Sequence, residues 1–186
     1  DELLRSSHAE VQLARLNRAI AHWAKKVEAD PDDLDSKEKL DALRQKADAY
    51  QLNEMQHKVK VQPADMGLRL ELGKALTRAG RHDEAIAEFQ QARANPALRT
   101  QALYLAGLAF ESKGLAKLAE RNYQEALKLA EEEDQGLLLT LHYRLGRVAE
   151  VQGDRAAAEE HYNEVAANDY TYLDVAERLR ALNQPK

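Results

Sequence analysis

Glycine placement constrains this chain more than any other feature. Of its eight glycines, six fall in two columns seven residues apart: Gly73 and Gly80, Gly107 and Gly114, Gly146 and Gly153. Each pair is followed at fixed spacing by a small residue and an aromatic one: Ala85 and Phe89, Ala119 and Tyr123, Ala158 and Tyr162. The second copy begins 34 residues after the first, and the third 39 residues after the second. The intervening residues are mostly Ala, Leu, Glu, Lys, Arg and Gln, which are strong helix formers. A glycine inside a helix costs about 1 kcal/mol against alanine, so a repeated column of them needs a structural reason.

The reason follows from reading each copy as two helices. The first-column glycine lies in helix A, where a missing side chain lets helix B come close. The second-column glycine ends helix A, because the left-handed position after a helix favours glycine. Asp83 and Asp154 fall near the start of helix B, where negative charge opposes the helix dipole. The small Ala faces the helix crossing, and the aromatic one turn later fills the gap on the same face. Repetition at such a period indicates a solenoid of stacked helix pairs.

These columns resemble the tetratricopeptide repeat: a Leu-Gly pair at Leu72 and Leu145, a turn glycine, then Ala, an aromatic and Ala. Ala106 takes the Leu place in the middle copy. Ala92 and Ala126 fill the last small column, with Val165 in the third copy. The bulky aromatic of early helix A is replaced by Arg69, Leu103 and His142, and only Pro96 supplies a closing proline. The resemblance covers about residues 66–170. It implies an all-α, right-handed solenoid of about three helix pairs, with repeats near 66–99, 100–133 and 139–172. Residues Ala130–Gly136 lengthen helix B and widen a loop before the third copy. Val175, Leu179 and Leu182 then give one apolar face to a capping helix over 172–183, which a solenoid needs at its open end.

Residues 1–63 contain no glycine and form a separate N-terminal region ahead of a repeat domain over 64–186. Ala9, Leu13, Leu16, Ile20, Trp23 and Val27 keep heptad spacing. Leu40, Leu43, Ala47 and Tyr50 continue it, and Leu52, Met55 and Val59 follow on a shifted seam. Two long helices joined by ADPDDLDS and folded into a hairpin fit this pattern, with a buried Trp23 and Pro63 as the terminus. A degenerate repeat using Ala19, Trp23 and Pro31, or a coiled coil between two chains, are the alternatives.

Lys and Arg number 27 against 32 Asp and Glu, a net charge of −5, so there is no excess positive charge to attract nucleic acid. No stretch approaches the roughly 18 apolar residues of a membrane span, and the start lacks a signal pattern. We expect a soluble chain, with the cytoplasm favoured among compartments. The chain starts with Asp1, so a fragment or processed product is expected. Cysteine is absent, which removes disulfides and thiolate chemistry.

The six histidines show no metal-ligand spacing, and His142 reads as a hydrogen-bonded core residue. The acidic Asp30–Asp35 stretch lacks the glycine and glutamate of a calcium loop and reads as helix capping. The Glu131–Asp134 run reads as a solvated loop. There is no nucleophile elbow and no phosphate-cradling loop. No enzyme, cofactor or metal site is therefore expected.

What remains is surface. In proteins that the repeat resembles, helix A lines a groove that receives a peptide or partner helix. The positions that would line it here include Leu70, Lys74 and Arg78, then Tyr104, Leu105 and Leu108, then Tyr143, Arg144 and Arg147. This mixture implies a protein partner with apolar and acidic residues. The same leucines and Tyr104 would otherwise bury against neighbouring helices. The Lys-and-Asn clamp for a carboxyl terminus is not matched, since Leu70 and Lys74 stand at its positions without an Asn. The expected function is a scaffold or adaptor. The alternative is an assembly role in which the N-terminal hairpin forms a homodimer.

Overall fold

A computed structural model describes residues 2–130 and 134–184. Glu131–Glu133 lie outside the described residues, and with them the reading of that run as a solvated loop. The described chain is all-α, without strands. It forms two compact units, Asp1–Arg81 and His82–Lys186.

The first unit holds α1 (Glu2–Ala29), α2 (Leu34–Val61) and α3 (Met66–Arg78). The α1–α2 turn is short because Asp33 caps α2. Its carboxylate accepts from the Ser36 backbone N–H at 3.1 Å and from the Ser36 hydroxyl at 2.5 Å. The hydrogen bonds from Ser36 hold the Asp33 carboxyl below the usual carboxylate range. Asp65 caps α3 in the same way, accepting from Leu68 N–H at 3.0 Å. α1 is unbroken from Glu2 to Ala29, which leaves no inter-helix turn inside it. Trp23 is half-buried rather than buried, with the ammonium groups of Lys26 and Lys39 at 4.4 and 4.9 Å from its ring centre. α3 packs on α2, and Arg78 reaches Gln51 at 2.9 Å and Asp48 at 3.7 Å.

The second unit holds α4 (His82–Ala92), α5 (Arg99–Ser112), α6 (Ala116–Leu129), α7 (Gln135–Gln152), α8 (Arg155–Asn168) and α9 (Val175–Leu182). Successive helices pack on one another from α4 to α9. A 3₁₀ turn at Pro96–Leu98, capped by Asn95, leads into α5.

Gly80, Gly114 and Gly153 adopt the left-handed conformation, with φ of +73°, +71° and +78°. After each, the next residue's N–H returns to a carbonyl five residues back: Arg81 to Leu76, Leu115 to Phe110, and Asp154 to Ala149, all at 2.9 Å. This closure satisfies carbonyls that a helix end leaves open.

Gly107 and Gly146 do different work. A Cβ on Gly107 would lie 2.3 Å from Tyr123 Cε1, and one on Gly146 would lie 2.6 Å from Tyr162 Cε1. Each tyrosine ring thus occupies the space where a side chain would stand. Ala119 and Ala158 are fully buried one turn before the rings.

Gly107→Ala should therefore destabilise the protein by about 1–3 kcal/mol, as overpacking of a filled core does. Combining it with Tyr123→Leu should give a cost smaller than the two single costs added, because the clash disappears with the ring. Urea denaturation of the four proteins measures this, and strictly additive costs would show that ring and glycine do not meet.

Candidate functional site

The second unit contains the same four-residue polar box twice. In the first, the Tyr123 hydroxyl donates to Glu111 Oε2 at 2.8 Å, and Arg144 Nη1 reaches Glu111 Oε1 at 3.4 Å. Tyr104 packs against Tyr123 with ring centres 6.1 Å apart. In the second, the Tyr162 hydroxyl donates to Glu150 Oε2 at 2.9 Å, and Arg178 Nη1 donates to the same oxygen. Tyr143 packs against Tyr162 at 6.0 Å. Glu111 and Glu150 each stand four residues after their motif glycine, and Arg144 and Arg178 each come from the following helix A position.

Column alignment explains the pairing. In the copy whose aromatic is Phe89, the Glu column holds Thr77, the Tyr104 column holds Leu70, and the Arg144 column holds Leu105. Phe89 has no hydroxyl to satisfy. Thr77 sends its own hydroxyl back to Gly73 O at 2.9 Å. Tyrosine therefore comes with glutamate and arginine, and phenylalanine comes with a threonine and two leucines.

Burial drives the electrostatics. Desolvation, then the neighbouring Glu111, pushes the Tyr123 hydroxyl far above the ordinary tyrosine range. Desolvation and the hydrogen bond to Glu150 do the same for Tyr162. Burial works against the charge on Arg144, but Glu111, Tyr104 and Tyr123 outweigh it, so its guanidinium is held above its usual value. Arg178 is raised likewise: burial opposes its charge, but Asp174, Tyr143, Tyr162 and Glu150 prevail.

The structure separates the residues assigned to the partner surface. Leu70 is a core residue, only 3% exposed. Tyr143 is likewise buried, at 6% exposure, and its hydroxyl donates to Asp174 Oδ1 at 2.6 Å. Arg144 is committed to Glu111 rather than presented as a free cation. Lys74 pairs with Glu71 at 2.7 Å, and Arg78 with Asp48 and Gln51. Tyr104, Leu105 and Leu108 are half-buried; Tyr104 and Leu108 pack on the core built around Leu103, Tyr123 and Leu141. Arg147 is the most open of the second unit's three assigned groups on α7, 40% exposed and 3.8 Å from Glu111. It stands beside an apolar cleft lined by Glu111, Gly114, Ala116, Val148 and Val151, whose Val151 is 76% exposed.

Glu111, Glu150, Asp174 and Arg178 are absent from the sequence-based assignment. The signal for the two glutamates is the column itself: Glu where the aromatic is Tyr, Thr where it is Phe.

The tyrosines yield an alkaline test. A folded-state pKa above the unfolded value near 10 gives stabilisation that is complete below that value and is lost as pH rises. Tyr123, Tyr143 and Tyr162 are all raised. NMR titration of the tyrosine ring carbons should show these three still protonated beyond pH 10, until the fold is lost. Tyr123→Phe should shift the alkaline unfolding midpoint upward, and an unchanged midpoint would remove Tyr123 from this account.

A family profile described as tetratricopeptide repeat matches residues 59–99 and 70–135. No curated protein sequence matches the chain. Among solved structures, MamA aligns with 19% identity and a TM-score of 0.59, over 89% of this chain and 91% of that one. TTC0263, a thermophilic repeat protein of Thermus thermophilus, aligns with 19% identity and a TM-score of 0.57, over 96% of both chains. A tetratricopeptide repeat protein of Parabacteroides merdae gives 15% identity and a TM-score of 0.63, over 97% of this chain and 71% of that one. At these identities the likeness is one of fold. Over residues 59–135 turn chemistry and sequence profile thus agree on the tetratricopeptide repeat, and the helix-pair fold of the solved structures extends that likeness along the chain.

Proposed function

We propose that the chain is a non-enzymatic protein-interaction scaffold. On this reading the second unit takes a peptide or helix at its helix A surface, through Tyr104, Leu105, Leu108 and Arg147. The observation that carries it is the exposed Arg147 guanidinium beside the apolar cleft and Val151. An apolar anchor with a nearby carboxylate is the partner chemistry that suits these groups. Among the described residues no helix is long and apolar enough to cross a membrane, and no cluster of three or more His, Asp or Glu could hold a metal.

Selection of a displayed peptide library on the full chain, followed by calorimetry on the selected peptides, tests this. The peptides should carry acidic and apolar residues together, and binding should weaken with salt, since exposed charge pairs are screened. Arg147→Glu turns an attraction into a like-charge contact, which costs several kcal/mol, so affinity should fall at least tenfold. Its melting temperature should fall modestly, because the new carboxylate also stands beside Glu111, and affinity is measured well below the transition. A folded Arg147→Glu protein that binds as tightly as wild type would remove this surface from the proposal.

A second reading rests on α1. Leu13, Leu16, Ile20 and Val27 form an apolar seam, yet each is only half-buried. Self-association through this seam would cover it. Sedimentation equilibrium distinguishes the two readings: a concentration-dependent dimer abolished by Leu16→Glu and Ile20→Glu supports assembly, and a monomer removes it.

A further inference from the structure

His142 on α7 and His161 on α8 face each other, with Nδ1 atoms 3.1 Å apart and ring centres 5.3 Å apart. Both side chains are half-buried. Between two ring nitrogens at this distance there is room for one hydrogen. One imidazole must donate and the other must accept, so at least one Nδ1 has to be unprotonated. If both carry a proton, two N–H groups and two positive charges point at each other, and the contact must open.

We propose that the His142–His161 contact is a proton-operated latch between α7 and α8, closed at neutral pH and opened when both imidazoles are charged. The surrounding charges are carboxylates: Glu120 on α6, and Glu160 and Glu164 on α8. They favour the first proton, which the pair accommodates by sharing. Desolvation opposes charge at both rings, and at His161 the neighbouring His142 adds to it, so both histidines lie below the ordinary value. A depressed folded-state value gives stabilisation that is present above the unfolded value near 6.5 and is lost as pH falls below it. Each pH unit of depression corresponds to a tenfold change in the folding equilibrium at low pH. No third metal-binding side chain joins the pair among the described residues, so the proton is the ligand that suits it.

The device acts on the helix pair that carries the second polar box. Tyr143 follows His142 on α7, and Tyr162 follows His161 on α8. Opening the latch therefore loosens the tyrosine packing and the α8 surface that supports α9.

The test uses the full chain. Imidazole NMR titration of the wild type should show His142 and His161 titrating in two coupled steps, the later one below the ordinary histidine value. Thermal unfolding should lose several degrees more between pH 7.5 and pH 5.0 in the wild type than in His161→Gln, whose side chain accepts no second charge. Amide exchange in α8, corrected for intrinsic rates, should accelerate at least tenfold at pH 5.0. Two independent titrations at or above the ordinary histidine value would overturn the proposal, whatever the variant does. So would equal acid losses in wild type and a folded His161→Gln.

Discussion

The close approach of Tyr123 to Gly107, and of Tyr162 to Gly146, is the contact on which the second unit depends. A ring can take the place of a side chain only where the facing helix offers bare backbone. That requirement fixes which face of helix A meets helix B, and Ala119 and Ala158 hold the crossing open one turn earlier. Once a tyrosine rather than a phenylalanine enters this gap, its hydroxyl is carried out of water as well. A buried hydroxyl without an acceptor costs about 1–3 kcal/mol. Glu111 and Glu150, one turn beyond their glycines, are placed to accept it.

The glutamates then carry the requirement onward. A carboxylate this sheltered needs a cation, because buried charge is tolerated only when paired and hydrogen-bonded. The cation comes from the next helix A in both copies, Arg144 from α7 and Arg178 from α9. Each of these helix pairs is thereby completed by its successor. The box does not need to add net stability to matter. A wrong neighbour would leave a tyrosine hydroxyl and a carboxylate partly unsatisfied, so the network favours one order of stacking. The Leu70, Thr77, Phe89 and Leu105 columns of the earlier copy carry no such demand.

Legibility in the sequence follows from where each constraint is local. The turn glycines are readable because a left-handed residue is a property of one position. The helix A glycines are readable because their aromatic partners recur at fixed spacing. Asp33 is readable as a cap because its partner Ser36 lies three residues away. The partner surface is harder. Helix position alone puts Leu70 and Tyr143 on it, but the structure buries both, and Tyr143 is claimed by Asp174 31 residues later. Arg144 is claimed likewise, its charge being answered by Glu111 33 residues earlier. Periodicity finds the face of a helix and says nothing of what covers it. His142 is an intermediate case: its column marks it as inward-facing, while its partner His161 is fixed only by the crossing of α7 and α8.

The helix α9 extends the column logic by one more step. Counting 34 residues from Gly146 reaches Arg180, so α9 occupies the helix A register of a fourth unit. Arg178 stands two residues before that column, as Arg144 stands two residues before Gly146, and it performs the same task on Glu150. The cation that faces backward to the preceding pair is therefore retained. What has changed is the glycine column itself, now held by an exposed arginine. At Gly107 and Gly146 the glycine stands where a tyrosine ring takes its side-chain space. Its role there is steric clearance for a particular ring and not a general softening of the helix.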